Sequence, residues 1–348
     1  MNELGEQVAK MADRAPDRDG EIVATDRVVQ SLIDAEDAGQ RLDNYLFRQA
    51  KGVPKSHLYR IIRGGEVRIN RRRVDADYRL QAGDLLRMPP LRVAQRAPID
   101  AGVRNERAVA LPAVYEDDDL LVIDKPAGVA VHGGSGIAFG VIEQLRQARP
   151  TARFLELAHR LDRETSGLLM IAKKRSALTR LHADLREGRV RKRYRACVAG
   201  PWREQQRRVS APLVKFLLPE GERRVRIATD ADRSALEALT IFHRVETFES
   251  ADGAFALLDV DLRTGRTHQI RVHLAHLGRP IVGDDKYGDF ALNKRLARSS
   301  TEGPAFRRMF LHAAQLSVVH PRTQETMRFE APLPAACEQF LRRLRGRA

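Results

Sequence analysis

Residues 159–174 read HRLDRETSGLLMIAKK. A charged stretch from His159 to Glu164 runs into the unbroken apolar segment Leu168–Ala172, which Lys173 and Lys174 close. An apolar run of that length without alternation suits a strand buried on both faces. Leu120–Ile123 has the same character. Downstream the period changes: from Ser176 to Glu187, Leu178, Leu181 and Leu185 line one side of an amphipathic helix that ends at Gly188. Val190 to Val198 then alternates, with Val190, Lys192, Tyr194, Ala196 and Val198 on one face and Arg191, Arg193 and Arg195 on the other. From about Val114 onward the chain alternates strand-like and helix-like segments. Residues 291–308 carry several arginines and no strong periodicity, which predicts a basic loop.

Upstream the charge is unevenly placed. Residues 1–40 hold ten acids and four bases, whereas residues 41–96 hold fourteen bases and five acids. The acidic head, residues 1–38, reads as a polar tail with little structure, at least to about Ala24. Residues 39–96 read as a compact basic module. Leu42, Tyr45 and Leu46 recur at helical spacing, and Leu58, Ile61 and Ile62 form the stripe of a second helix. Ser56 is expected to cap that helix and Gly64 to end it in a left-handed turn. Arg60 and Arg63 fall off the stripe and face outward. Val67 and Ile69 alternate with charged residues and lead into a basic turn, Asn70-Arg71-Arg72-Arg73. Residues 97–112 contain Pro98, Gly102 and Pro112 and few large apolar residues, as a linker would, and a larger domain is expected over 113–345.

The whole chain has 348 residues, enough for a large domain and a smaller one, and a formal net charge of +15. Such an excess points to a polyanionic partner, nucleic acid or an anionic membrane surface. No stretch approaches the ~18 apolar residues needed to span a bilayer, and the first thirty residues lack the apolar core of a secretory signal. The only two cysteines, Cys197 and Cys337, are far apart in sequence, which argues against disulfides and cysteine-based zinc sites and suits a reducing cytoplasm.

Three segments concentrate polar groups at loop positions: His159 to Gly167, Lys192 to Ala196, and Thr264 to His273. Taken singly, each has a plain structural reading. Asp162 serves equally as a loop carboxylate paired with an arginine, Tyr194 as a core aromatic, and Arg271 as an exposed helix arginine. His268, His273 and His276 spread too widely around a helix to share a metal, and no carboxylate or cysteine completes the set. His132 and His159 are loop histidines that either touch a ligand or pack. The glycines of HGGSG, residues 132–136, lack the Lys-Ser/Thr of a phosphate loop and read as a turn near the cleft.

Together the segments match one family. The run around Asp162 resembles the signature of the RluA-type pseudouridine synthases, RKRYRA resembles the segment holding their active-site tyrosine, and LRTGRTHQIRVHLAHLGRPIVGDDKYG resembles a third conserved stretch. VIDKPAGVAVHGG and FLHAAQLSVVHP match further segments, in order, from about Val114 to Phe329; Asp124 stands where asparagine is expected. Residues 41–73 resemble the S4 RNA-binding fold.

The resemblance implies an α+β fold, a mixed, mostly antiparallel sheet with flanking helices behind an S4-like α/β module. It implies isomerisation of specific uridines to pseudouridine in 23S ribosomal RNA, free or in assembling particles. A synthase acting on tRNA or other ribosomal positions stays open, as does a non-catalytic S4-type assembly factor, against which intact Asp162, Tyr194 and Arg271 argue. Cutting the N1–C1′ bond, turning the uracil and rejoining it through C5 involves no redox change, so no cofactor or metal is expected. A carboxylate must attack or deprotonate the ribose. By resemblance it is Asp162, with Arg271 as the cation that holds it. Tyr194 is the matched residue for stacking on the base and taking the C5 proton, and Ile270 supplies an apolar floor. A uridine in folded RNA must be extruded. Arg160 is placed by resemblance to fill the gap, or else contacts phosphate. Arg60, Arg63, Arg71, Arg72 and Arg73 are expected to meet RNA phosphates.

Overall fold

The computed structural model describes residues 28–34, 37–50, 53–91, 110–133, 139–219, 221–298 and 304–346. The tail to Ala24, the linker as far as residue 109 and residues 134–136 of HGGSG lie outside them. The chain divides into two compact units, residues 1–106 and 107–348.

The first unit contains β1 (Val29–Leu32), α1 (Leu42–Gln49), α2 (Lys55–Arg63), β2 (Arg68–Ile69) and β3 (Leu85–Met88), with the strands in the order β1-β3-β2. Its core joins the two expected stripes, Leu42, Tyr45 and Leu46 with Leu58, Ile61 and Ile62, to Val67, Ile69, Leu86 and Met88. Three details differ from the sequence reading. Val29–Leu32 pairs with β3 and Ile33 is buried, so the ordered unit reaches into the stretch read as tail. Pro54, not Ser56, occupies the cap position of α2. Gly64 keeps helical dihedrals, and the left-handed turn falls one residue later, at Gly65 with φ +72°. The basic turn is a tight hairpin: Ile69 and Arg72 exchange backbone hydrogen bonds, and Asn70 and Arg71 both have positive φ, as a two-residue primed turn requires.

The second unit is built on one sheet. In chain order its elements are β4 (Ala113–Glu116), β5 (Leu120–Lys125), α3 (Val141–Ala148), β6 (Glu156–Leu157), β7 (Ser166–Ala172), α4 (Arg175–Arg186), β8 (Arg191–Ala199), β9 (Gln206–Ser210), β10 (Leu213–Leu217), β11 (Arg223–Ile227), β12 (Leu239–Ser250), β13 (Gly253–Leu262), α5 (Gln269–His276), α6 (Phe290–Leu296), β14 (Leu311–Val319), β15 (Thr326–Glu330) and α7 (Ala335–Leu344). The ten-stranded sheet runs β4-β5-β7-β14-β8-β13-β12-β9, with β15 also on β14 and β6 also on β7; β10 and β11 form a separate hairpin. Among the described pairings only β7 with β14 is parallel. The unbroken apolar runs have the expected cause. On β7, Leu169 and Ile171 join the core with α3, α5, α6 and α7, while Leu168 and Met170 join a second core with α4 on the opposite face. The basic loop predicted over 291–308 is partly wrong. Residues 290–296 form α6, because Leu292 and Leu296 are buried one helical turn apart and Asp289 caps the first turn through Leu292 N–H. No helix among the described residues is long and apolar enough to cross a membrane.

Candidate active site

Asp162 lies in the turn between β6 and β7, where Thr165 N–H donates to the Asp162 carbonyl at 3.1 Å. The turn is tied down at both ends. On one side Lys125, the wholly buried last residue of β5, donates to the carbonyls of Pro126, Val129 and Arg163 at 2.8, 2.9 and 3.1 Å. Burial pushes this ammonium down to about 7, while the charges of Glu164 and Asp162 pull the other way. Three carbonyl acceptors require three N–H bonds, which only the charged form has.

On the other side the buried Ser166 Oγ sits 2.7 Å from Arg308 Nη2 and 2.9 Å from His312 Nδ1, and His312 Nε2 lies 3.2 Å from the Ala331 carbonyl. Arg308 only donates and the carbonyl only accepts, so the serine hydroxyl donates to Nδ1 and the imidazole proton sits on Nε2. Burial pushes His312 down to about 4. The folded state therefore binds fewer protons than the unfolded chain between about pH 6.5 and 4, and this group's stabilisation is present above that window and lost as pH falls through it. Of wild-type stability, about 2 kcal/mol should disappear through His312 between pH 6.5 and 5. Urea unfolding of wild type and His312→Asn at both pH values tests this: the gap between them should narrow on acidification, and a constant gap would refute it.

Gly167 brings this turn against the rest of the site. Its φ is +108°, and a Cβ there would fall 2.3 Å from the Ala313 carbonyl oxygen, so only glycine permits β7 to lie this close to β14. Ala313 in turn pairs with Tyr194 of β8. The Asp162 turn and Tyr194 are thus neighbours across the middle of the sheet.

Arg271 arrives from the first turn of α5. The loop before that helix is pinned by Gln269. Its Oε1 accepts from Thr264 Oγ1 at 2.7 Å and Arg266 N–H at 3.0 Å, and its Nε2 donates to the Leu239 carbonyl at 3.0 Å and Thr240 Oγ1 at 2.9 Å. His268 just before it holds a left-handed backbone, φ 54°. Arg271 is 3% exposed. Nε and Nη2 fork onto Asp284 at 2.7 Å each, Nη2 also reaches Asp285 at 3.1 Å, and Nη1 donates to Asp162 Oδ2 at 3.2 Å. Asp284 Oδ1 accepts further bonds from Lys286 and Tyr287 N–H at 2.8 and 2.9 Å. Burial works against the Arg271 charge, but Asp284 and then Asp162 outweigh it and hold its proton even more firmly than usual. Burial likewise opposes the Asp284 charge, yet the Arg271 fork keeps that carboxyl below the usual range.

Asp162, His268, Gln269 and Arg271 line a cavity of about 490 Å³, within the ~300–1,000 Å³ common for ligand sites. Asp162 is a quarter exposed, and its Oδ1 has no hydrogen bond among the described residues. Tyr194 forms part of the wall; burial, and secondly the Asp162 charge, push its phenol above the usual range, so it keeps its proton at neutral pH. Ile270 lines the cavity with Leu161, Leu262 and Leu311. Arg160 is exposed and borders both this cavity and a neighbouring one shared with Asp162, His268 and Arg271. Arg60, Arg63, Arg71, Arg72 and Arg73 are all exposed on the first unit. His273 is spent on the fold, facing Thr240 Oγ1 at 2.9 Å and the Ala211 carbonyl at 3.0 Å. His268 Nδ1 lies 2.8 Å from the Tyr287 hydroxyl, and its Nε2 is 3.9 Å from Asp162 Oδ2.

Among the described residues one cluster has metal-type donors, Asp117, Asp119 and His320, and it is filled by its own partners. His320 Nε2 faces Asp117 at 2.8 Å, and Asp119 meets Lys174 and Arg322 at 3.1 and 2.7 Å. The sequence reading missed Lys125, Asp284 and the Ser166–His312 pair. A lysine closing an otherwise apolar strand, and two adjacent aspartates in IVGDDKYG, were the available signals.

A family model described as RNA pseudouridylate synthase matches residues 119–276, and one described as S4 domain matches residues 40–86. The chain is 50% identical over 317 residues to ribosomal large subunit pseudouridine synthase C of Escherichia coli K12, covering 90% of this chain and 96% of that protein. It is 47% identical to the protein of the same name from Pasteurella multocida, covering 93% and 96%. Among solved structures, human RNA pseudouridylate synthase domain containing 1 superposes with a TM-score of 0.53 at 27% identity, covering 68% of this chain and 96% of that one.

Proposed function

The chain belongs to the RNA pseudouridylate synthase family, and we propose that it isomerises uridines of large-subunit ribosomal RNA with Asp162 as the reacting carboxylate. Being an RNA pseudouridine synthase, it must break N1–C1′ and form C5–C1′ in one bound nucleotide. What carries the assignment is the pairing of Asp162 with Arg271. One oxygen is clamped by a buried guanidinium, and the other, at the wall of the cavity, has no hydrogen bond among the described residues. That free oxygen attacks or deprotonates the ribose as the uracil leaves with the N1–C1′ electrons. The Tyr194 ring and Ile270 hold the freed uracil while it turns. Once C5–C1′ has formed, the C5 proton must go. Tyr194 accepts it on oxygen as its own proton passes to Asp162, which is again a carboxylate at that stage, while N1 takes up a proton from solvent.

Arg160, at the rim, fills the space left by the extruded base. We place the reaction in the cytoplasm, on RNA free or in assembling particles. The test is to incubate the protein with large-subunit RNA lacking modifications and to map pseudouridine. Discrete positions should appear, and conversion of tRNA alone would favour the other substrate class.

The S4 unit positions the RNA by touching phosphates without choosing the base. Replacing Arg71, Arg72 and Arg73 by Ala should weaken binding and flatten the salt dependence by roughly 0.9 for each duplex phosphate no longer neutralised. The single-turnover rate at saturating RNA should hold. An unchanged salt slope would remove these arginines from the interface.

A further inference from the structure

We propose that Lys192 binds the backbone phosphate of the uridine that enters the cavity, an inference that rests on the cavity being the uridine site. Lys192 stands two residues before Tyr194 on the same face of β8 and lines the same cavity. Its ammonium lies where the three motif segments converge. Nζ is 3.3 Å from the point a Cβ on Gly265 would occupy, and its charge is felt by the His159 ring. The side chain is half-buried and has neither an ion pair nor a hydrogen bond among the described residues.

The contrast with its own strand is direct. Arg193 is neutralised by Asp261 at 2.9 Å and Arg195 by Asp259 at 3.0 Å, both across the β8–β13 pairing. Lys192 points the other way, into the cavity. There the only lining carboxylate among the described residues is Asp162, which is already held by Arg271. Arg160, Arg186 and Arg263 also line the cavity without an ion pair among the described residues. Partial loss of water with no counter-charge disfavours an ammonium, and burial does lower the proton affinity of this one. An arriving anion would reverse that cost.

Within RNA the anion is the phosphodiester, since ribose and uracil arrive neutral. A lysine suits it: a compact charge with three rotatable donors can meet phosphate oxygens from several directions. The absence of a side chain at Gly265 leaves the ammonium open to that approach.

The test uses the full chain and a ribosomal RNA stem-loop containing a uridine that the wild-type protein modifies, with binding measured at several salt concentrations beside single-turnover rates. Lys192→Met should bind about tenfold more weakly, consistent with removal of one charge-assisted hydrogen bond. Its salt slope should be shallower by roughly 0.7, one single-strand phosphate. The rate at saturating RNA should stay within a few-fold of wild type, and Lys192→Arg should recover most of the affinity. A neutral methylphosphonate at one linkage beside the target should weaken wild-type binding by a similar factor and Lys192→Met no further.

Unchanged affinity and slope in folded Lys192→Met, or full additivity with methylphosphonate at every linkage, would overturn the proposal. So would a collapse of the saturated rate with affinity intact, which would make Lys192 a positioning residue for Asp162 or Tyr194. Failure of the wild-type protein to modify any uridine would instead sink the parent reading of the cavity.

Discussion

Asp162→Asn is expected to fold, to bind RNA as the wild-type protein does, and to lose at least about a thousandfold in turnover, ~4 kcal/mol on the barrier. The substitution preserves shape. Asparagine offers a carbonyl oxygen to Arg271 Nη1 where Asp162 Oδ2 stood. The fork of Arg271 on Asp284 does not involve residue 162, so the buried cation keeps its counter-ion. Only the second oxygen, with its charge, is removed, and an amide nitrogen neither attacks a ribose nor removes its proton. Affinity and chemistry should therefore separate cleanly, as they do when a group acts only in the transition state. Retention of more than about a thousandth of the rate would mean that another group performs the step.

Asp284→Asn should damage both stability and activity. Asp284 is almost wholly buried and accepts four bonds, two from Arg271 and two from the backbone of Lys286 and Tyr287. Removing one charge of a buried pair leaves the other uncompensated, at a cost of about 3–5 kcal/mol. Asp285 is 62% exposed on its side chain and offers no comparable substitute. Arg271 would then turn toward Asp162 or solvent, and turnover of the folded fraction should fall about a hundredfold as the clamp loosens. Urea unfolding and single-turnover kinetics measure the two effects. Asp285→Asn is the control, with a change within about 1 kcal/mol expected for an exposed partner. If Asp284→Asn unfolds and reacts like wild type, Asp284 does not set the arginine.

The residues that repeat along the chain were the ones the sequence made legible. Leu168–Ala172 read as a doubly covered strand because both of its faces meet cores, and Val190–Val198 alternated because one face carries arginines. Asp162, Tyr194 and Arg271 were legible only as a set, through the family resemblance, and the structure brings all three to one cavity. What stayed hidden depends on residues distant in sequence meeting in space. Lys125 meets the Arg163 carbonyl, Ser166 meets His312, and Gly167 lets β14 approach. None of these has a period or a local motif. Pro54 and Gly65 displaced the expected caps by one or two residues, since neighbouring residues compete for the same backbone position. The helix at 290–296 was missed because only two of its residues, Leu292 and Leu296, face the core, too few to register as a stripe.

The central claim is that this chain makes pseudouridine in large-subunit RNA through Asp162. It is tested most directly by mass-spectrometric mapping of that RNA from cells lacking the chain, with wild-type protein or Asp162→Asn restored. The expected result is a small set of uridines left unmodified, recovered by wild type and not by the variant. An unchanged large-subunit map in the deleted cells, or recovery by Asp162→Asn, would contradict it.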